Sequence, residues 1–175
     1  MTASDVLRAR VGYCNTKSTL FVALLRAAGI PARQRFVTIS STVLEPFLSL
    51  PQTVVDHSFT EVRLNNRWHR VDSYIPDPAL FAAAKSALND TQEFGYGIHR
   101  DGVNEWDGNS DAFAQWTPAA GVIDYGIFED TQDFYAKERR AESMRGLYRF
   151  LIPFGAVRAS RAVDQFVQQA HANLP

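Results

Sequence analysis

The feature that most constrains this chain is the pair Asn65-Asn66, set between two strand-like runs, Ser58 to Leu64 and Arg67 to Ser73. Asn tolerates positive φ, the conformation a two-residue hairpin loop demands, so the pair reads as a tight turn. Such a loop sets the register. Leu64 faces Arg67, Phe59 faces Asp72, and Asp72 becomes a diagonal neighbour of His57. Diagonal neighbours share a face and lie within reach of long side chains. By alternation His69 points away from Asp72. Turn chemistry alone therefore brings one acid and one base together.

Upstream, Thr16 to Ala28 is helix-forming, with Leu20, Phe21, Leu24, Leu25 and Ala28 at helical spacing, which predicts one buried face. Gly29 is placed to cap its C-terminus, and Pro31 prevents continuation. Cys14 lies just before this helix, with Gly12 two residues earlier. Its sulfur is expected near unpaired N–H groups and the positive end of the helix dipole, an environment that favours thiolate, the reactive form.

Taken singly, each residue has a plainer explanation. A lone cysteine is ordinarily a small buried hydrophobe. His57 also fits a strand-end histidine bonded to backbone, and Asp72 a turn residue satisfying nearby N–H groups. Joint placement singles them out, because a cysteine nucleophile needs a base and the base needs an orienting group. Cys14, His57 and Asp72 are therefore the candidate catalytic residues.

Arg33 to Ser40 reads as a strand and Pro78 to Leu88 as a short helix. Residues 89–126 hold Gly95, Gly97, Gly102, Gly108, Gly121 and Gly126 among many aromatics, which predicts structured loops with room for a short strand. Glu129 to Leu151 and Ser160 to Ala172 read as helices. This order predicts an α+β fold with segregated layers: one domain over residues 1–175, with 128–175 as a helical C-terminal extension. The apolar run Leu147 to Val157 is expected to dock on the core, with a homodimer contact as the alternative. The aromatic stretch from Tyr96 to Trp116 either covers the sheet or walls a substrate cleft, and His99 and Trp106 are candidate substrate contacts. Asp101, Asp107 and Asp111 do not follow the calcium-loop pattern, so neither a metal nor a cofactor is expected.

Composition narrows the setting. The 175 residues favour one core, and 46% hydrophobic with 21% charged residues is ordinary for a soluble globular protein. A formal net charge of -1 gives no electrostatic basis for a nucleic-acid or anionic-membrane partner. Leu20 to Leu25, the longest apolar run, falls far short of a bilayer span. Met1 to Arg10 lacks a signal-peptide core, and a single cysteine excludes an internal disulfide. The expectation is a reducing, cytoplasmic setting, which suits a free thiol.

Three blocks together resemble the transglutaminase-like superfamily, relatives of the papain-like fold. Gly12-Tyr13-Cys14 followed by Leu20 through Arg33 is similar to the nucleophile helix and its exit. His57-Ser58-Phe59-Thr60-Glu61-Val62 resembles the histidine strand, and Trp68-His69-Arg70-Val71-Asp72 the tryptophan-to-aspartate strand. The resemblance spans about Gly12 to Asp72. It implies that the Cys14 helix packs on an antiparallel sheet carrying His57 and Asp72. It also implies acyl transfer at a peptide or protein amide through a thioester on Cys14, with His57 as base and Asp72 orienting it. Water as acceptor makes a protease or amidase, the favoured form, and an amine makes a crosslinking transglutaminase. The rival is a catalytically inactive binding module of the same fold. Only 13 residues precede Cys14, none of them Gln, Asn or Trp, so the Cys14 backbone N–H is the one oxyanion donor the sequence names.

Overall fold

The computed structural model describes residues 2–88, 92–118, 123–138 and 161–172. In chain order the elements are α1 (Ala3–Ala9), α2 (Cys14–Ala27), β1 (Ala32–Ser40), β2 (Val54–Leu64), β3 (Arg67–Val71), α3 (Pro78–Ala87), β4 (Phe94–Gly95), β5 (Ile98–His99), β6 (Asp124–Phe128) and α4 (Thr131–Lys137). Residues 161–172 are also helical. The fold is α+β, with the cysteine-bearing helix preceding an antiparallel sheet of order β3-β2-β1-β6.

The β2–β3 hairpin turns at Asn65 (φ 49°) and Asn66 (φ 64°), with Leu64 facing Arg67 and Thr60 facing Val71. This is the register that the two-residue loop requires. Both strands differ from expectation at the ends away from the turn. β2 begins at Val54, because Val54 to Ser58 pair with β1, and His57 lies inside the strand opposite Val37. β3 ends at Val71, one residue before Asp72. There the Asp72 N–H donates to the Ala112 carbonyl (2.9 Å) and the Ala112 N–H to the Arg70 carbonyl (3.0 Å). The segment around Ala112 thus docks on the free edge of β3.

α2 begins at Cys14 itself, two residues earlier than the sequence suggested, with Tyr13 as N-cap. Gly29 (φ 77°) follows its end, and the Ile30 N–H returns to the Leu25 carbonyl at 2.9 Å, tying off the last turn. α1 was not anticipated. Thr2 and Asp5 close a capping box, and Val6 is buried. A Cβ on Gly12 would lie 2.8 Å from Thr16 Oγ1 and 3.3 Å from Val6 Cγ1, so only glycine allows this close turn between α1 and α2.

Alternation along the strands divides the core. On the side of α2, Phe21 and Leu25 pack with Val62, Val71 and Ala112. Beside them Phe134 of α4 stacks on Phe36 at 4.1 Å. On the opposite side Val37, Ile39 and Phe59 pack with Val43, Phe94 and Trp116. A further cluster joins Leu80, Phe81 and Ala84 of α3 to Ile98 and Ala114, with Val163, Phe166 and Val167 of the 161–172 helix against it.

The glycine-rich region contains more regular structure than expected. β4 and β5 form a two-stranded hairpin, and β6 is an edge strand on β1 with a register shift between Phe36 and Val37. Gly126 (φ 90°) provides the backbone freedom that irregular strand needs. The helix expected over Glu129 to Leu151 is described as Thr131–Lys137, and Leu147 to Val157 lies outside the described residues. Among the described residues, no helix is long and apolar enough to cross a membrane.

Candidate active site

Cys14 is the first residue of α2 and is half-buried. Tyr13 makes no side-chain cap, and its own N–H donates to Thr16 Oγ1 at 3.0 Å. The first-turn amides therefore carry their partial positive charge beside the sulfur. Asn15 anchors that turn. Its carbonyl accepts from Gln34 Nε2 on β1 (2.9 Å) and from Thr131 Oγ1 on α4 (3.0 Å). Its side chain accepts from the Cys14 thiol at 3.5 Å through Oδ1 and donates to the Tyr135 hydroxyl at 3.0 Å through Nδ2.

His57 and Asp72 are fully buried, and His57 Nε2 lies 3.0 Å from Asp72 Oδ2. The other ring nitrogen, Nδ1, has no conventional hydrogen-bond partner. Since Asp72 occupies Nε2, Nδ1 is the ring nitrogen left to exchange a proton with Cys14. Burial pulls the His57 pKa down. The hydrogen bond to Asp72, the hydrogen bond and charge of Cys14, and the charge of Asp72 outweigh it and push the pKa up to about 9. Thiol, imidazole and carboxylate thus stand in series, with the sulfur at the end that reaches solvent.

Asp72 is held from its far side as well. The consecutive N–H groups of Ala114, Gln115 and Trp116 all donate to its carboxylate, Gln115 at 3.2 Å to Oδ1 and Trp116 at 3.1 Å to Oδ2. A carboxylate in such a cradle of amides is satisfied without leaving its place, even in the absence of water. Trp116 locks the cradle to the sheet by stacking on Phe59, with ring centroids 4.8 Å apart. Tyr74 closes the floor. Its hydroxyl lies 2.7 Å from Ser18 Oγ and 2.9 Å from Thr60 Oγ1, linking α2 to β2. Burial, reinforced by the charges of Asp72 and Cys14, raises the Tyr74 pKa well above the phenol range, so the link stays neutral.

The two candidate substrate contacts are engaged elsewhere. His99 is buried; its Nδ1 accepts from the Asp101 N–H at 3.0 Å, and its Nε2 lies 3.4 Å from Glu93. These bonds hold the β5 turn. Trp106 packs against Val62, Val71 and Ala112, and its Nε1 donates to the Ser110 carbonyl at 2.7 Å. Neither is brought to Cys14. The aromatic stretch contributes to the core, as Phe113 and Trp116 show. A separate hollow of about 290 Å³ on the outer sheet face, lined by Arg35, Glu61, Trp68 and Arg70 among others, contains none of Cys14, His57 or Asp72. Arg35 pairs there with Glu61 and Asp124, and Arg70 with Asp111.

Sequence reasoning missed Asn15, Tyr135 and the amides of residues 114–116. Asn15 carried one usable signal, its position beside Cys14 in the first turn of a helix. The others are remote in sequence and carried none.

The family model described as the Transglutaminase-like superfamily matches residues 1–73, a stretch that contains Cys14, His57 and Asp72. No match was found among curated proteins or among solved structures.

Proposed function

With residues 1–73 as a transglutaminase-like segment whose superfamily supports cysteine-based catalysis in general terms, we propose that this chain is a cysteine-dependent enzyme cleaving an amide or peptide bond. Cys14 is the nucleophile, His57 the general base and acid, and Asp72 the group that orients His57. The buried Asp72–His57 bond, with Nδ1 left to the Cys14 sulfur, carries the reading.

In the forward step the thiolate attacks the carbonyl carbon, forming a C–S bond while the carbonyl π electrons move onto oxygen. The Cys14 N–H at the helix start is one donor for that oxyanion. The tetrahedral centre collapses, the C–N bond breaks, and His57 delivers its proton to the departing amine. The remaining thioester is attacked by water whose proton His57 removes, and the acid and free thiol are released. Asp72 keeps Nε2–H directed at itself, so Nδ1 is the nitrogen that exchanges protons with sulfur, amine and water. An amine replacing water gives transfer instead of hydrolysis. Hydrolysis is favoured, and a cytoplasmic, reducing location fits the thiol.

The test is the pH dependence of Cys14 alkylation by iodoacetamide in the wild type and in His57→Ala. An activated pair reacts well below the ordinary thiol pKa of about 8.5 and loses that reactivity in the variant. Identical profiles near the ordinary value would instead favour a non-catalytic binding module that retains the fold.

A further inference from the structure

A thioester-forming site needs donors for the oxyanion as well as a nucleophile, and a helix-start N–H supplies one. Near Cys14, the Tyr135 side chain has the right chemistry and an unspent proton. Asn15 is buried with both ends of its carboxamide engaged: Oδ1 accepts from the Cys14 thiol at 3.5 Å, and Nδ2 donates to the Tyr135 hydroxyl at 3.0 Å. Asn15 keeps a second Nδ2 proton, but its side chain is buried, whereas Tyr135 is half-buried. Tyr135 accepts in that bond, so its own O–H is free to donate. Thiol and hydroxyl are both bonded to this one carboxamide, and Cys14 and Tyr135 are both half-buried.

We propose that the Tyr135 hydroxyl is the side-chain oxyanion donor of this site, a role that rests on Cys14 acting as nucleophile. As sulfur bonds to the acyl carbon, the carbonyl oxygen gains the π electron pair and accepts from Tyr135 O–H and Cys14 N–H. When the tetrahedral centre collapses, the pair returns to carbon and the leaving group departs. The proton never leaves Tyr135.

The surroundings suit a fixed neutral donor. Burial, then the negative charges near Asp56, Tyr13 and Cys14, keep the proton on the phenol well above its ordinary pKa. The ring packs on Phe134 with centroids 5.1 Å apart, and Phe134 is fully buried against Phe36 and Phe128. α4 is tied at its start by the Asp130 cap and by Thr131 Oγ1 bonded to the Asn15 carbonyl. Tyr135 lies outside the matched residues 1–73, so an element beyond that segment completes the site.

The test compares two probes of Cys14 in the full chain, for the wild type, Tyr135→Phe and Tyr13→Phe. Iodoacetamide reports the thiolate without forming an oxyanion. 4-Nitrophenyl acetate acetylates it through an oxyanion and releases a phenolate that needs no proton. Mass spectrometry assigns the modified residue. The expected result is that Tyr135→Phe slows acetylation about 100- to 1,000-fold while alkylation keeps its wild-type rate and pH profile. Equal acetylation in wild type and Tyr135→Phe overturns the donor role and leaves the Cys14 reading standing. A joint fall in both reactions overturns it too, since Tyr135 would then act on the thiol. A loss confined to Tyr13→Phe assigns the donor to the wrong tyrosine. If even the wild type is never acetylated at Cys14, the proposed function falls and the donor role falls with it.

Discussion

Replacing Asp72 with Asn removes a charge and, with almost no change in shape, turns one acceptor oxygen into a donor. Four donors converge on the carboxylate: His57 Nε2 and the Trp116 N–H at Oδ2, and the Ala114 and Gln115 N–H groups at Oδ1. Whichever way the amide is turned, its NH2 meets two of them. Against Ala114 and Gln115 it opposes two amides that cannot give up a proton. Against Oδ2's partners it opposes one amide and an imidazole, and the imidazole can adapt by moving its proton from Nε2 to Nδ1. The second orientation is therefore preferred. It costs about 2–4 kcal/mol, one or two unsatisfied buried donors at about 1–3 kcal/mol each, softened by the tautomer change. For a chain of this size that is a fall in Tm of about 5–15 °C. Function falls further, because Nδ1–H facing Cys14 is the wrong tautomer for a base. A triad with its acid amidated loses about 10⁴-fold in turnover. Denaturant unfolding and the iodoacetamide rate at pH 7 measure the two effects. A stability change under about 0.5 kcal/mol, below the usual range for a broken buried network, with unchanged alkylation, would refute the reasoning.

The His57 pKa predicts a pH-dependent stability. It is raised in the folded state from 6.5 to about 9, so its contribution is full below about pH 6.5 and lost as pH rises through about 9. The difference in unfolding free energy between wild type and His57→Gln is expected to shrink by about 3 kcal/mol over that window, measured by urea titrations at several pH values. In Gly102→Ala, a Cβ would stand 2.7 Å from the Ala114 carbonyl oxygen and 3.0 Å from Ala114 Cα, both backbone. The segment 114–116 that cradles Asp72 must shift, costing about 1–3 kcal/mol by thermal denaturation and slowing alkylation at low pH. Phe134→Ala empties the stack on Phe36 and is expected to cost about 3–5 kcal/mol, read from the urea midpoint.

Much of the site was legible in residues 54–73 because hairpin geometry is local. Asn65-Asn66 determines the register, and register determines which residue is diagonal to His57. The end of α2 was equally plain, since Gly29 and Pro31 are adjacent signals with a direct backbone meaning. The error at the start of β2 is instructive. Val54 to His57 pair with β1 and lie beyond the reach of β3, so the hairpin alone could not show them as strand. β6 starts in the stretch read as loops with room for a short strand, because glycine weakens a strand in isolation and only pairing with β1 makes Asp124 to Phe128 extended. His99 and Trp106 looked like cleft residues for their chemistry, yet their polar atoms are spent on turns a few residues away.

The sequence by itself determined the helix that follows Cys14, the hairpin, and the pairing of a base with an acid, because each follows from backbone preferences acting over a few residues. Tertiary structure alone decided what surrounds them. The amides that cradle Asp72 come from residues 114–116, and the hydroxyl beside Asn15 comes from Tyr135. Contacts across such separations leave no periodicity or spacing in the chain. They arise only when burial of Phe59 against Trp116, and of Phe36 against Phe134, brings distant segments to the same end of the sheet.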